Sequence, residues 1–151
     1  MSVLGVRCSN SDFAYAILDG TIAKPVFLDC NQCAFPINYH RPQLLTWLVQ
    51  EIDGIIKRHH PDVVVVKRHE GMTKGGAYEE RVEAEGAVAI AAGNNGIRSF
   101  YKKRRSSLAK DLGLKGRARY LATLNTSVIP SFSSSSPKQQ EALLCAWSGL
   151  H

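Results

Sequence analysis

The sequence predicts an α/β fold, a mixed five-stranded sheet with helices on both faces. Three observations predict it: two alternating strand patterns at the start of the chain, a later run of valines, and apolar residues at helical spacing on either side of that run. Early strands followed by alternating helices and strands are typical of a sheet that helices cover. The 151 residues can bury one core, so we expect a single domain over 1–151.

The first strands form a hairpin. Ser2–Arg7 and Phe13–Leu18 both have the alternation of strands, and the Ser-Asn-Ser-Asp segment at 9–12 supplies turn residues between them. A third strand is predicted over 21–28. Because Pro25 cannot donate a ladder hydrogen bond, this strand is expected at an edge of the sheet.

The middle of the chain alternates helix and strand. Pro42 opens an amphipathic helix that ends near His60, and the β-branched run Val63–Val66 predicts a central strand covered on both faces. A Gly-rich loop then leads to a second helix, predicted over Tyr78–Ala92. Its small packing face is predicted to consist of Val82, Gly86, Ala89 and Ile90.

The last third of the chain is mostly helical. Ile97–Tyr101 predicts a short strand, Lys115–Tyr120 opens a further helix, and Pro137–His151 predicts a final helix with Leu143, Leu144 and Trp147 on one side.

The charge balance favours a polyanionic partner. Nineteen Lys and Arg against thirteen Asp and Glu give a net charge of +6, which attracts nucleic acid through counterion release. No segment has the apolar length of a membrane span, and the start of the chain does not resemble a secretion signal, so we expect a cytoplasmic protein with no membrane partner. Cys30 and Cys33 have the spacing of a zinc half-site, but only Cys8 or His40 is available to complete it, so reduced thiols and no metal are expected.

The order and spacing of these segments resemble the RuvC-like branch of the RNase H-like fold. Val3–Val6 is similar to the opening strand of that family, Pro61–Val66 to its fourth strand, Glu85–Ala92 to its small-residue helix, and Glu141–Ala146 to its last helix. Lys115–Arg119 resembles a Gly-rich segment of the same family. The resemblance covers nearly the whole chain and implies the RNase H-like sheet described above.

The chain departs from this family at the metal site. The resemblance implies two divalent cations held on about four carboxylates: one on the first strand, one at the end of the fourth strand and two on the last helix. Arg7, Lys67 and Lys138 stand at three of those positions, and Glu141 alone keeps a carboxylate. Since each replacement reverses the local charge, these residues are expected to repel Mg²⁺ and to attract phosphate.

We therefore expect a nucleic-acid-binding, catalytically inactive RuvC-like protein that binds DNA without a cofactor, as an accessory in recombination, repair or a mobile-element system. Phe100 and Tyr101 come directly before a basic run, so aromatic stacking next to phosphate contacts is also expected. The candidate nucleic-acid-binding residues are Arg7, Lys67, Arg68, Lys74, Lys102, Lys103, Arg104, Arg105, Lys115, Arg117, Arg119 and Lys138.

Two alternatives stay open. Glu70 lies three residues beyond Lys67, and together with Glu141 it would form the rearranged site of a Mg²⁺- or Mn²⁺-dependent, structure-selective endonuclease of the Holliday junction resolvase type. The other alternative is a dimerisation or protein-interaction module, a homodimer or a subunit of a larger assembly, with its interface on the helix Tyr78–Ala92 or on the terminal helix that carries Trp147.

Overall fold

The predicted mixed five-stranded sheet is present in the computed structural model, which describes residues 1–70, 76–114 and 123–151. Its strands are β1 (Val3–Cys8), β2 (Asp12–Gly20), β3 (Pro25–Ala34), β4 (Val63–Lys67) and β5 (Ser99–Lys103). They lie in the order β3-β2-β1-β4-β5. β2 is antiparallel to β1 and β3, whereas β1, β4 and β5 run parallel.

Helices cover both faces of this sheet. In the described residues they are α1 (Arg41–His59), α2 (Gly76–Asn94), α3 (Arg105–Asp111) and α4 (Pro137–Ser148), with a 3₁₀ turn at Thr126–Val128. The side chains of α1 and α2 share one hydrophobic cluster with Leu4, Val64 and Val66. Those of α3 and α4 share the other with Val3, Val63 and Val65. The valines of β4 thus alternate between the two clusters, which explains why the run has no polar interruption.

Two strands differ most from their predicted bounds. β3 runs over Pro25–Ala34 instead of 21–28, because it pairs along the whole of β2 from Asp12 to Gly20. β5 extends through Lys103, because it pairs in parallel with all of β4. The basic run predicted to follow this strand therefore begins inside it.

The packing face predicted for α2 is wrong. The buried residues are Ala84, Ala87, Val88, Ala91 and Ala92, whereas Ile90 is exposed. α2 packs chiefly against α1 and touches the sheet less, which rotates a different stripe of small residues inward. Glu85 lies on this buried side and is fully buried.

α4 crosses β1 at Gly5, and this crossing positions the site. A side chain at Gly5 would collide with the carbonyl oxygen of Ala142 and would lie 2.5 Å from the backbone nitrogen of Ala146. Glycine is therefore required for the close approach of helix and strand. Because α4 sits directly on β1, its first turns face the end of that strand.

Within the described part of the chain, none of the helices combines the length and apolar character that crossing a membrane requires.

Candidate functional site

The carboxyl ends of β1 and β4 bring Arg7 and Lys67 together. The two parallel strands pair through Val6 and Val66, and Arg7 and Lys67 are the next residues of each strand. Neighbouring strands lie about 4.8 Å apart, so the two side chains emerge side by side. Successive side chains of a strand point to opposite faces of the sheet, and Val3, Val63 and Val65 pack against α4, so Arg7 and Lys67 also lie on the face that α4 covers.

These two cations line a cleft of about 410 Å³. We call it the cationic cleft; it is lined by Arg7, Lys67, Glu70, Arg81, Arg105 and Glu141. Four basic side chains thus face two carboxylates, and the cleft carries an excess of positive charge.

Lys67 is the most deeply placed of the four cations. Only 3% of its side chain is exposed, and its Nζ donates to Glu70 Oε2 at 2.5 Å and to the carbonyl oxygen of Arg68 at 2.9 Å. Both acceptors come from the turn that follows β4. Water is largely excluded from this ammonium, so its charge is poorly screened.

Glu70 ends the turn and caps α3. Both of its carboxylate oxygens accept the backbone N–H of Arg105, at 3.1 Å each, at the first residue of that helix. Partial burial alone would raise the pKa of Glu70, but the hydrogen bonds from Lys67 and from the Arg105 backbone outweigh it and lower the pKa. Lys67 and the Arg105 backbone therefore keep the Glu70 carboxylate ionised by donating hydrogen bonds to its oxygens.

Glu141, on the second turn of α4, is also paired. Its Oε2 lies 3.2 Å from Arg7 Nε, and its Oε1 lies 3.7 Å from Arg105 Nη2. Arg7 additionally donates from Nη1 to the carbonyl oxygen of Cys8 at 3.0 Å. Glu141 thus acts as a counter-ion between two arginines.

Sequence reasoning missed a second cluster, centred on Glu85. Its carboxylate lies 3.1 Å from Lys102 Nζ and 3.4 Å from both Arg81 Nε and His69 Nδ1. Arg81 belongs to both groups, because it also lines the cationic cleft. A signal was present in the sequence: Glu85 is the one acidic residue within the small, apolar stretch from Ala84 to Ala92.

The structure places the remaining predicted cations elsewhere. Lys138 binds Asp12 at 2.7 Å and the Ser9 hydroxyl at 3.3 Å, beside the β1–β2 turn, and it does not line the cationic cleft. Arg68 and Arg104 are exposed outside the cleft. Lys74, Lys115, Arg117 and Arg119 lie outside the described residues.

The run Lys102–Arg105 divides between the two faces. Lys102 reaches Glu85 on the α2 side, whereas Lys103 binds Asp111 at 2.8 Å and the carbonyl oxygen of Ser148 at 3.1 Å on the α4 side. Strand alternation explains this separation. The preceding aromatics divide in the same way: Phe100 packs against the α1–α2 cluster, and Tyr101 is exposed.

The chemistry of these groups does not fit a divalent metal in this arrangement. Mg²⁺ requires several free oxygen ligands, whereas Glu70 and Glu141 are paired with basic side chains. Among residues 1–70, 76–114 and 123–151, no group of three His, Cys, Asp or Glu side chains is placed to hold a metal.

The four cysteines are free thiols. Cys30 packs with the α3–α4 cluster and Cys33 with the α1–α2 cluster, so the two point to opposite faces of β3 and cannot share a zinc ion. Burial raises the pKa of Cys8 and of Cys145 to about 12, and that of Cys30 to about 11. These three thiols stay protonated and are poor nucleophiles.

Solved structures with the same fold were found, although no sequence-family model matches the chain and no curated protein matches it in sequence. A Thermus thermophilus RuvC structure in complex with a Holliday junction substrate superimposes with a TM-score of 0.83 at 16% identity, over 98% of this chain and 92% of that one. The yeast mitochondrial Holliday junction resolvase Ydc2 superimposes with a TM-score of 0.64 at 12% identity, over 97% of this chain and 76% of that one. These likenesses, together with the strand order and the helices on both faces, show that the chain has a RuvC-like fold.

Proposed function

We propose that this protein binds nucleic acid, preferably branched DNA, through the cationic cleft, and that it does not use two-metal hydrolysis. The observation that carries the proposal is the position of Arg7 and Lys67 in the same cleft, directly after the paired residues Val6 of β1 and Val66 of β4. In the nucleases that the sequence resembles, carboxylates stand at these two positions. Cations there attract a phosphate and repel a metal ion.

The physical argument rests on charge and desolvation. Four basic side chains line the cleft against two carboxylates, so a phosphate group that enters reduces the unbalanced charge. The buried ammonium of Lys67 is already desolvated in the free protein, so binding does not require it to lose a full hydration shell. A guanidinium group can bind phosphate oxygens with two parallel N–H donors, and Arg7 and Arg105 present two such groups to the cleft, where a phosphate would compete with Glu141 for them.

The fold comparison supports the choice of DNA. The similar RuvC structure contains a Holliday junction substrate, which is a branched DNA. A scaffold of the same shape with a cationic cleft is suited to hold such a substrate by its phosphates. In this proposal the chain is a single domain that works without a cofactor, as an accessory in recombination, repair or a mobile-element system.

A gel-shift series tests this proposal. Branched, duplex and single-stranded DNA are compared at several salt concentrations, with and without Mn²⁺. We expect binding that weakens steeply with salt and leaves the DNA uncut. Binding that is insensitive to salt, or that is equal for the wild type and Arg7→Glu, would contradict it.

A second candidate function, a metal-dependent endonuclease, is favoured by one observation: Glu70 and Glu141 line the same cleft. A metal ion would have to displace Lys67 from Glu70 and Arg7 from Glu141. Calorimetric titration with Mn²⁺ distinguishes the two functions. Heat of binding that disappears in Glu70→Gln and Glu141→Gln, accompanied by cleavage of branched DNA, would establish the nuclease.

A third candidate, a protein-interaction module, is favoured by the outward face of α2. Ile90 is 57% exposed there, beside partly exposed Val82, Gly86 and Ala89. Exposed apolar residues that lie together on a helix favour a partner surface. Sedimentation equilibrium of the wild type and of Ile90→Lys tests this candidate function. It requires that the wild type is a dimer and that the substitution dissociates it.

A further inference from the structure

A second pocket, of about 370 Å³, lies beside the edge strand β5 on the face that α4 covers. Its lining is apolar where Ile22, Val63 and Leu150 contribute, and polar where Ser99, Lys103 and Asp111 contribute. Tyr101 is part of the same lining, with 51% of the residue exposed. The pocket therefore combines an aromatic ring, an apolar surface and hydrogen-bonding groups.

Tyr101 is held in place at this edge. Its strand neighbour Phe100 points to the opposite face and packs in the core, which fixes the direction of the Tyr101 side chain. Lys103 Nζ lies 5.7 Å from the centre of the Tyr101 ring, and the same ammonium binds Asp111 and Ser148. The ring thus stands next to a cation whose own position is fixed by three acceptors on α3 and α4.

Three elements contribute residues both to this pocket and to the cationic cleft, so the number of residues between them gives the distance from one to the other. α3 has Arg105 in the cleft and Asp111 in the pocket, α4 has Glu141 and Ser148, and β4 has Lys67 and Val63. At about 1.5 Å per helical residue and about 3.3 Å per strand residue, the separation is roughly 9–13 Å. That distance spans about three to four nucleotides at the ~3.4 Å axial rise of duplex DNA, and fewer nucleotides of an extended, unpaired strand.

We propose that this pocket accepts an unpaired nucleobase of a strand whose phosphates occupy the cationic cleft. The inference rests on the proposed function and adds a substrate class: DNA with a single-stranded or unpaired segment beside a duplex. An unpaired base offers an aromatic face to Tyr101 and polar edges to Lys103, Asp111 and Ser99. A base inside a duplex is stacked on both faces and paired along its Watson–Crick edge, so it cannot enter.

Fluorescence anisotropy tests the pocket with two probes, a plain DNA duplex and the same duplex carrying a single-stranded oligodeoxyadenylate tail. Tyr101→Leu keeps an apolar side chain but removes the aromatic face, and Tyr101→Phe keeps the ring. The matched control is Tyr39→Leu, since Tyr39 is 48% exposed but lies before α1, outside both the cleft and the pocket. The measured quantity is the ratio of the two affinities, tailed over plain.

We expect Tyr101→Leu to reduce this ratio about fivefold or more, because stacking of one base on an aromatic ring contributes that much. Tyr101→Phe and Tyr39→Leu should keep the wild-type ratio. A 2-aminopurine in the tail should lose fluorescence on binding to the wild type, and lose less on binding to Tyr101→Leu. An unchanged ratio in Tyr101→Leu, with salt-dependent binding of the plain duplex intact, overturns the base pocket alone. Failure of both probes to bind overturns the proposed function and the pocket together.

Discussion

Arg7 Nε lies 3.2 Å from Glu141 Oε2, which joins the end of β1 to the second turn of α4 at the cationic cleft. Both side chains are mostly buried, so water screens the pair poorly. Glu141 is the one acidic residue of α4, and here it neutralises an arginine. Under the proposed function, a phosphate that enters the cleft must compete with Glu141 for Arg7, so this pair would set how strongly the cleft attracts DNA.

Replacing Arg7 by Gln should weaken DNA binding through the loss of one phosphate contact. A hydrogen bond to a charged group contributes about 1.5 kcal/mol or more, so affinity for duplex DNA should fall about tenfold. The slope of log affinity against log salt should decrease by about 0.9, because one fewer counterion is released. Anisotropy titrations at four or more salt concentrations measure both quantities.

The matched control for Arg7 is Arg58→Gln, since Arg58 is exposed at the end of α1 and does not line the cleft. It removes the same charge, but its salt slope should stay close to that of the wild type. Equal slopes for the wild type and Arg7→Gln would mean that phosphate is bound elsewhere.

Glu85→Gln should destabilise the protein. The fully buried carboxylate is the shared counter-ion of Lys102, Arg81 and His69, and its removal leaves basic groups facing one another. Breaking a buried charge network by removing one partner costs about 3 kcal/mol. Urea denaturation measures the change in the free energy of unfolding.

Glu83→Gln provides the comparison two residues earlier on the same helix. Glu83 pairs with Arg41 at 3.2 Å, but it is exposed, so its removal should change the free energy of unfolding by less than about 0.5 kcal/mol. If the two variants were equally stable, the charge of Glu85 would have no structural role.

Sequence patterns located most of the fold. The valine run of β4 and the hairpin of β1 and β2 follow from local alternation, which sequence shows directly. The length of β3 and the inward face of α2 could not be predicted from local sequence patterns. They depend on pairing with all of β2 and on packing against α1, which are contacts between residues distant in the chain.

The candidate site was predictable only in part. Arg7 and Lys67 stand where the resembled family has metal-binding carboxylates, so they were expected to lie at the same end of the sheet, and both line the cationic cleft. Lys138 was expected in the same patch, but it binds Asp12 instead, because the β1–β2 turn presents a carboxylate to the first turn of α4. Arg81 lines the cleft from α2. The orientation of α2 depends on its packing against α1, so the periodicity of the sequence did not predict this position of Arg81.

Gly5→Ala should disrupt the contact between β1 and α4 that sets Glu141 opposite Arg7. The added methyl group collides with backbone atoms of Ala142 and Ala146, which cannot move without shifting the helix. Overpacking of this kind costs about 1–3 kcal/mol or more. Gly54→Ala is the control, because open space surrounds that helical position and Ala is favoured there by about 0.5–1 kcal/mol. Thermal denaturation should show opposite shifts in Tm, and a Gly5→Ala variant as stable as the wild type would contradict the close packing.

Acid should destabilise the protein through Asp12 and Glu70. Partial burial alone would raise the pKa of Asp12, but hydrogen bonds from Lys138, Ser9 and Gln32 outweigh it, and the pKa falls below its ordinary 3.8. The pKa of Glu70 is likewise lowered below its ordinary 4.5, against the opposing effect of burial, by Lys67 and the Arg105 backbone. A carboxyl with a lowered folded-state pKa stabilises the fold at pH values above its unfolded-state pKa, and the stabilisation disappears as pH falls towards the folded-state pKa.

The free energy of unfolding should therefore decrease as pH falls below about 4.5, and decrease further below about 3.8. Urea denaturation at a series of pH values from neutral to acid measures this dependence. Asp12→Asn should be less stable than the wild type at neutral pH, and the difference should shrink in acid, because the wild-type carboxyl is then protonated as well. Glu51→Gln, which removes a carboxylate from an exposed position of α1, should change the free energy of unfolding at neutral pH by less than about 0.5 kcal/mol. A constant difference between Asp12→Asn and the wild type at every pH would show that the Asp12–Lys138 contact contributes through packing and not through charge.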